Sequence, residues 1–89
     1  MDVPNDRFRK FRRELQNQME TCQLSAYALG RLTGLDPTFI KKLVVGERNP
    51  SRKTVLLIAK EIGEYTSLIS GSDVDRLIKG SGFPPPRNS

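Results

Sequence analysis

Lysine and arginine are the side chains with most to offer chemically: the 89 residues carry 15 of them against 10 aspartates and glutamates, a net of +5. Their placement is uneven. Residues 7–53 hold 11 Lys/Arg against 4 Asp/Glu, while the remaining positions hold 4 against 6. A basic stretch beside a mildly acidic one suggests a polyanion-binding surface on one side of the molecule; a basic protein with no such ligand would show the same totals. Other chemistry is scarce. There is no histidine, which removes the commonest general base and metal ligand. The single cysteine, Cys22, excludes an internal disulfide and a cysteine-rich metal site, and reads as a small packing residue. No paired carboxylates stand at a catalytic spacing, and no nucleophile stands beside a base. An enzyme is therefore the weakest reading, and neither a cofactor nor a metal is expected.

The elements that must position the basic residues are helical. Asn5 or Asp6 can cap a helix running to about Glu20, with Phe8, Phe11, Leu15 and Met19 on one face. Arg9, Lys10, Arg12 and Arg13 crowd its other faces. Ser25 caps a second helix, Ala26 to about Leu32, and Leu24 and Leu29 have the spacing of a hydrophobic staple. Thr33-Gly34 ends it. Asp36-Pro37 is a strong helix start, an N-cap followed by proline at the first helical position. That third helix runs to about Val45 and stops at Gly46. Phe39, Ile40, Leu43 and Val44 fall within an arc of about 140°, with Thr38, Lys41, Lys42 and Val45 opposite. Residues 46–51 form a loop by composition. Pro50 or Ser51 then opens a fourth helix through about Ile62, closed by Gly63. Residues 64–71 are open between a loop and one helical turn around Leu68 and Ile69. Ser72 caps a short fifth helix from about Asp73 to Lys79, closed by Gly80. No segment has strand periodicity, and the fold class is all-α. One domain is expected over residues 6–80, preceded by an arm (1–5) and followed by a disordered, Pro-rich tail (81–89). No apolar run approaches the roughly 20 residues that span a bilayer, and the N-terminus has no apolar stretch of signal-peptide type. A cytoplasmic setting is the simplest expectation.

Helices 26–32 and 37–45, joined by a tight Gly-containing turn, make a helix-turn-helix unit over about 25–45. Such units present their second helix to the DNA major groove. Leu29, Leu35, Ile40 and Leu43 are placed to join Leu15 and Ile58 in the core that holds the unit. The spacing Leu24-Ser25, Ala28-Leu29, Gly34-Leu35, Ile40, Leu43, Gly46, then Arg48-Asn49-Pro50-Ser51, Leu57, Ala59, Ile62 and Gly63 resembles the lambda-repressor/Cro-like helix-turn-helix domains, the XRE family. The resemblance implies five helices, binding to double-stranded DNA, and a homodimer on a palindromic operator. It also marks departures. Family members often carry Gln where this chain has Ala26, and polar side chains where Pro37 opens the third helix. They often pair an Arg late in helix one with a Glu before the loop glycine; those positions here are Met19 and Val44, apolar together.

On this reading Thr38, Lys41 and Lys42 are the base-contacting candidates. Lysine donates to guanine O6 and N7, and threonine bonds a base edge or packs its methyl against thymine. A solvated helix face would carry the same residues. Ser25, Arg48, Asn49 and Ser51 are candidates for phosphate contact, because the cap of helix two and the loop after helix three flank the groove in the family. Arg12 and its neighbours would extend that footprint, or meet an acidic partner. Leu68, Ile69, Val74, Leu77 and Ile78 cover the core, form a dimer interface, or both. The FPPPR tail is open between a polyproline ligand and a linker remnant. The function expected is a sequence-specific transcriptional regulator of phage or bacterial type, the chain being either whole or the DNA-binding part of a longer protein. The alternative is a protein-interaction module on the same fold, of antitoxin or anti-repressor type.

Overall fold

The computed structural model describes residues 7–66 and 69–84. Among them are five helices and no strand: α1 (Arg9–Cys22), α2 (Ala26–Thr33), α3 (Pro37–Val45), α4 (Arg52–Tyr65) and α5 (Gly71–Ser81). Helix α1 packs against α5 on one side and α3 on the other; α2 lies against α3 and α4, and α4 against α5. Phe11, Leu15, Leu29, Ile40, Leu43, Val55, Ile58, Ile62 and Leu77 are completely buried where these helices meet. Five of the six expected core residues are among them, and Leu35, at the turn, is half-buried. No helix of the described residues is long and apolar enough to cross a membrane.

The caps of α2 and α3 are those the sequence indicates. Ser25 Oγ accepts the Ala28 N–H at 3.0 Å, and Asp36 Oδ1 accepts the Thr38 N–H at 2.9 Å. Each satisfies one of the helix-start donors that the helix itself leaves orphaned. The turn between them is closed twice: Gly34 N–H donates to Gly30 O at 2.7 Å, and Leu35 N–H donates to Thr33 Oγ1 at 3.2 Å. What brings α3 so close to α2 is Gly30. A Cβ there would stand 2.7 Å from the Leu35 carbonyl oxygen and 3.1 Å from Pro37 Cγ. The missing methyl group and the proline ring are thus complementary.

Elsewhere the boundaries move. Asn5 and Asp6, expected to cap α1, lie outside the described residues; Phe8 occupies the cap position without a side-chain cap, and the helix continues to Cys22. Helix α4 runs through Gly63 to Tyr65, and α5 runs through Gly80 to Ser81. Neither glycine is the helix stop that its type suggests, and packing explains both. A Cβ on Gly63 would sit 2.9 Å from Val74 Cγ2 of α5, and one on Gly80 would sit 3.0 Å from the Phe11 backbone nitrogen of α1. The cap of α5 is Ser70 rather than Ser72. Ser70 Oγ accepts the Asp73 N–H and Asp73 Oδ2 accepts the Ser70 N–H, a reciprocal capping box. The third residue after Ser70 is Asp73, which also pairs with Arg76 and so stands fixed for the return bond. Leu68 lies outside the described residues, and the neighbouring Ile69 is buried in the core.

The expected disorder from Ser81 onward does not hold for its first residues. Ser81 is fully buried within α5, and its Oγ accepts the Phe83 N–H at 3.1 Å. The Phe83 ring lies 5.8 Å from that of Phe8, and the Arg7 guanidinium stands 4.8 and 4.9 Å from the two ring centroids. Ring and cation together close the end of the core, so packing carries past the expected boundary at residue 80. Residues 85–89, and the arm at 1–5, lie outside the described residues.

Two outcomes follow. Gly30→Ala gains about 1 kcal/mol of helix propensity but forces the Leu35 carbonyl and Pro37 away, at about 1–3 kcal/mol; a lowered melting temperature in thermal denaturation is expected. The Ser70 hydrogen bonds, backbone first, hold the Asp73 carboxyl below the usual aspartate range. Its contribution is therefore present above the unfolded-state value and is lost as pH falls through the folded one. An acid titration followed by helical circular dichroism should show a stability loss below the ordinary aspartate range that Asp73→Asn removes.

Candidate nucleic-acid interface

Helix α3 has two unlike sides. Ile40 and Leu43 are fully buried, with Phe39 and Val44 half-buried beside them. Thr38, Lys41 and Val45 are exposed and Lys42 is half-buried, all within an outward arc of about 100°. The three residues expected to read bases thus share one face. Val45, 67% exposed, supplies an apolar patch at its end.

The end of α3 is held unusually firmly. The Lys42 carbonyl accepts three backbone N–H groups, from Gly46 at 3.0 Å, Glu47 at 2.9 Å and Arg48 at 3.2 Å. Gly46, at φ 97°, provides the left-handed turn that folds the loop back in this way. From below, Arg12 of α1 reaches the same loop. Its Nη1 donates to the carbonyl oxygens of Leu43 and, at 2.9 Å, Arg48; its Nη2 donates to Asn49 Oδ1 at 2.8 Å. Arg12 is only 8% exposed. The expectation that it meets a phosphate is therefore corrected. Its fork is committed to backbone and side-chain acceptors inside the protein, where the planar guanidinium satisfies several at once.

That brace fixes Arg48 and Asn49 relative to α3. Arg48 is exposed, and its guanidinium makes no ion pair with any described residue. Asn49 is exposed with its oxygen taken by Arg12, so its amide NH2 is the group left to donate. Ser51 caps α4, its Oγ accepting the Thr54 N–H at 3.1 Å. The backbone turn and its brace therefore hold Arg48 and Asn49 against the end of α3, and Ser51 opens the helix that follows. Ser25 belongs to the other edge of α3. With Met19, Leu24 and Val44 it lines a cleft of about 370 Å³, and Val44 stands one helical turn from Lys41. Met19 and Val44 both line this cleft and pack against the core.

The first turns of α2, α3 and α4 contain no acidic residue. The partial positive charge of their N-termini is thus not offset by a side chain within the helix. Asp36, just ahead of α3, has one carboxylate oxygen engaged by the Thr38 N–H. Tyr27, the second residue of α2, is 62% exposed with the Arg31 guanidinium 5.9 Å from its ring centroid. It is absent from the residues that motif spacing singles out. Helical phase is the signal that finds it, since Tyr27 lies two positions from the buried Leu29 and so points away from the core. Arg52 has a role that no local pattern reveals: its Nε donates to the Pro84 carbonyl at 3.2 Å, tying the start of α4 to the C-terminal segment. Burial pushes the Cys22 thiol up, which suits a packing residue better than a reactive one.

Among the described residues no group of three or more His, Cys, Asp and Glu is placed to hold a metal. Comparison with protein-family models, curated proteins and solved structures gives no match to this chain.

Arg12→Ala would leave the Leu43 and Arg48 carbonyls without their donor, at about 2–3 kcal/mol. The urea midpoint should fall accordingly. Arg12→Lys should recover less than half of the loss, because one ammonium cannot span three acceptors.

Proposed function

We propose that the chain is a sequence-specific DNA-binding regulator of the lambda-repressor/Cro-like type, with α3 seated in the major groove. One observation carries the reading. The outward face of α3 presents Thr38, Lys41, Lys42 and Val45 together, while its inward face is locked in the core and its end is braced by Arg12. A rigid helix with a donor-rich face suits a groove whose edges offer guanine N7 and O6 and the thymine methyl. Arg48, Asn49, Ser51 and Ser25 flank that helix as phosphate contacts, and fix its register without reading sequence. Proline at the first turn and lysines on the outer face make guanine the favoured base. A homodimer on a palindromic operator follows from the family logic of one helix per half-site.

A second reading keeps the fold and changes the ligand. Tyr27 and Val45 are large exposed apolar residues, and Ala26 and Pro37 stand where polar groups would serve DNA. These favour a protein-interaction module of antitoxin or anti-repressor type.

Selection from random duplexes at several salt concentrations separates the two. Enrichment of a two-fold symmetric, G-containing motif is expected; uniform binding that simply collapses with salt would refute specific recognition. Lys42→Ala should cost about 1–3 kcal/mol and relax preference at one position per half-site. Arg48→Ala should weaken all sequences alike and reduce the salt slope by about 1. Identical behaviour of the two variants would sink the division into reading and positioning residues.

A further inference from the structure

Helix α1 bears a second cluster of cations that α3 does not use. Arg12 and Met19, seven residues apart, lie on the stripe facing α3 and the loop. Phe11, Glu14 and Gln18 lie on the stripe facing α5, where Gln18 Nε2 donates to Asp73 O at 2.8 Å and Glu14 pairs with Arg76 at 3.7 Å. Along this second seam runs a groove of about 420 Å³ lined by Lys10, Arg13, Glu14, Arg76, Lys79 and Gly80. At Gly80 the two helices approach closely, since a Cβ there would press on the α1 backbone. Arg76 is committed to Glu14 and Asp73. The side chains of Lys10, Arg13 and Lys79 are exposed and make no ion pair or hydrogen bond with any described residue.

We propose that this groove is a docking site for an acidic polypeptide segment of a partner protein, one that alternates carboxylate and apolar side chains. Three unpaired cations along one concavity provide the charge complement. Their aliphatic stems give the walls an apolar character that a carboxylate-rich but partly hydrophobic segment can cover. A polypeptide fits better than a nucleic-acid backbone because of Glu14. Glu14 Oε2 already accepts from Gln18 Nε2 at 2.9 Å and pairs with Arg76, which leaves Oε1 as an acceptor on the groove wall that a phosphodiester, with acceptors only, cannot serve. A peptide brings N–H donors that Glu14 can receive. The groove also opens on the side of α1 away from α3, so a ligand there and a duplex on α3 are compatible. The inference stands whether or not α3 binds DNA.

The test uses the full chain and two labelled probes, a peptide of alternating glutamate and leucine and a duplex, read by fluorescence anisotropy at physiological ionic strength. A peptide with glutamine in place of glutamate is the control. Saturable binding of the acidic peptide, absent in the control, is expected. The combined Lys10→Ala, Arg13→Ala, Lys79→Ala variant should lose about tenfold in peptide affinity. It should keep any duplex binding to within about twofold, because salt screens exposed charges that do not touch the ligand. Lys41→Ala with Lys42→Ala should do the reverse. The proposal is overturned if the peptide does not saturate, if both variants lose it equally, or if the groove variant loses the duplex, which would assign the groove to nucleic acid. Amide shifts of Lys79 and Gly80 in the unaltered chain during peptide titration test the groove without any substitution: localised shifts support it, and their absence refutes it.

Discussion

The guanidinium of Arg12 is the interaction on which the arrangement of the outward surface depends. It reaches from α1, largely buried, and ends on three acceptors that belong to the last turn of α3 and to the loop beyond it. A loop of glycine, charged residues and asparagine has little apolar surface to anchor it, and without an internal donor its carbonyls would turn to water. The fixed fork converts that loop into a continuation of α3. The Lys42 carbonyl completes the clasp by gathering three N–H groups from the chain that follows.

This brace also accounts for the apolar pair Met19 and Val44. On the proposed lambda-repressor-like reading, positions 19 and 44 are those that often hold an arginine late in the first helix and a glutamate just before the loop glycine. Here the cation stands seven residues earlier on the same stripe of α1 and is satisfied by neutral acceptors. Neutral carbonyls spare the molecule a buried carboxylate and its desolvation, while a full guanidinium still needs every donor matched. Met19 and Val44 are then free to be apolar, and both are packed against the core.

The two seams of α1 divide the basic charge into two surfaces. Toward α3 the cations lie on the outward face of that helix or brace its end. Toward α5 they line a groove that also includes Gly80. Gly30 and Gly80 have related consequences, since each lets two elements approach to a distance that any side chain would prevent. Gly30 seats Pro37 and so sets the position of α3; Gly80 seats α5 on α1 and so shapes the groove.

Much of the fold was legible in the sequence because its signals are local. The N-caps Ser25, Asp36 and Ser51, proline at the start of α3 and the left-handed stops at Gly34 and Gly46 act over four residues or fewer. Apolar spacing then fixes which face of each helix is buried, and with it the outward face of α3. Other features depend on partners distant in the chain. Gly63 and Gly80 look like helix ends until α5 is seen against α4 and α1. Ser72 reads as the cap of α5 from the sequence, and the reciprocal bond with Asp73 puts the cap at Ser70. Arg12 reads as one more surface cation because nothing local reveals that Leu43, Arg48 and Asn49, 31 to 37 residues away, supply its acceptors. Sequence determined the helices and the sign of their charge, because propensity, capping and periodicity are short-range. Tertiary structure alone decided which cations are spent inside and which remain for a ligand, because burial and hydrogen-bond satisfaction are properties of the packed chain.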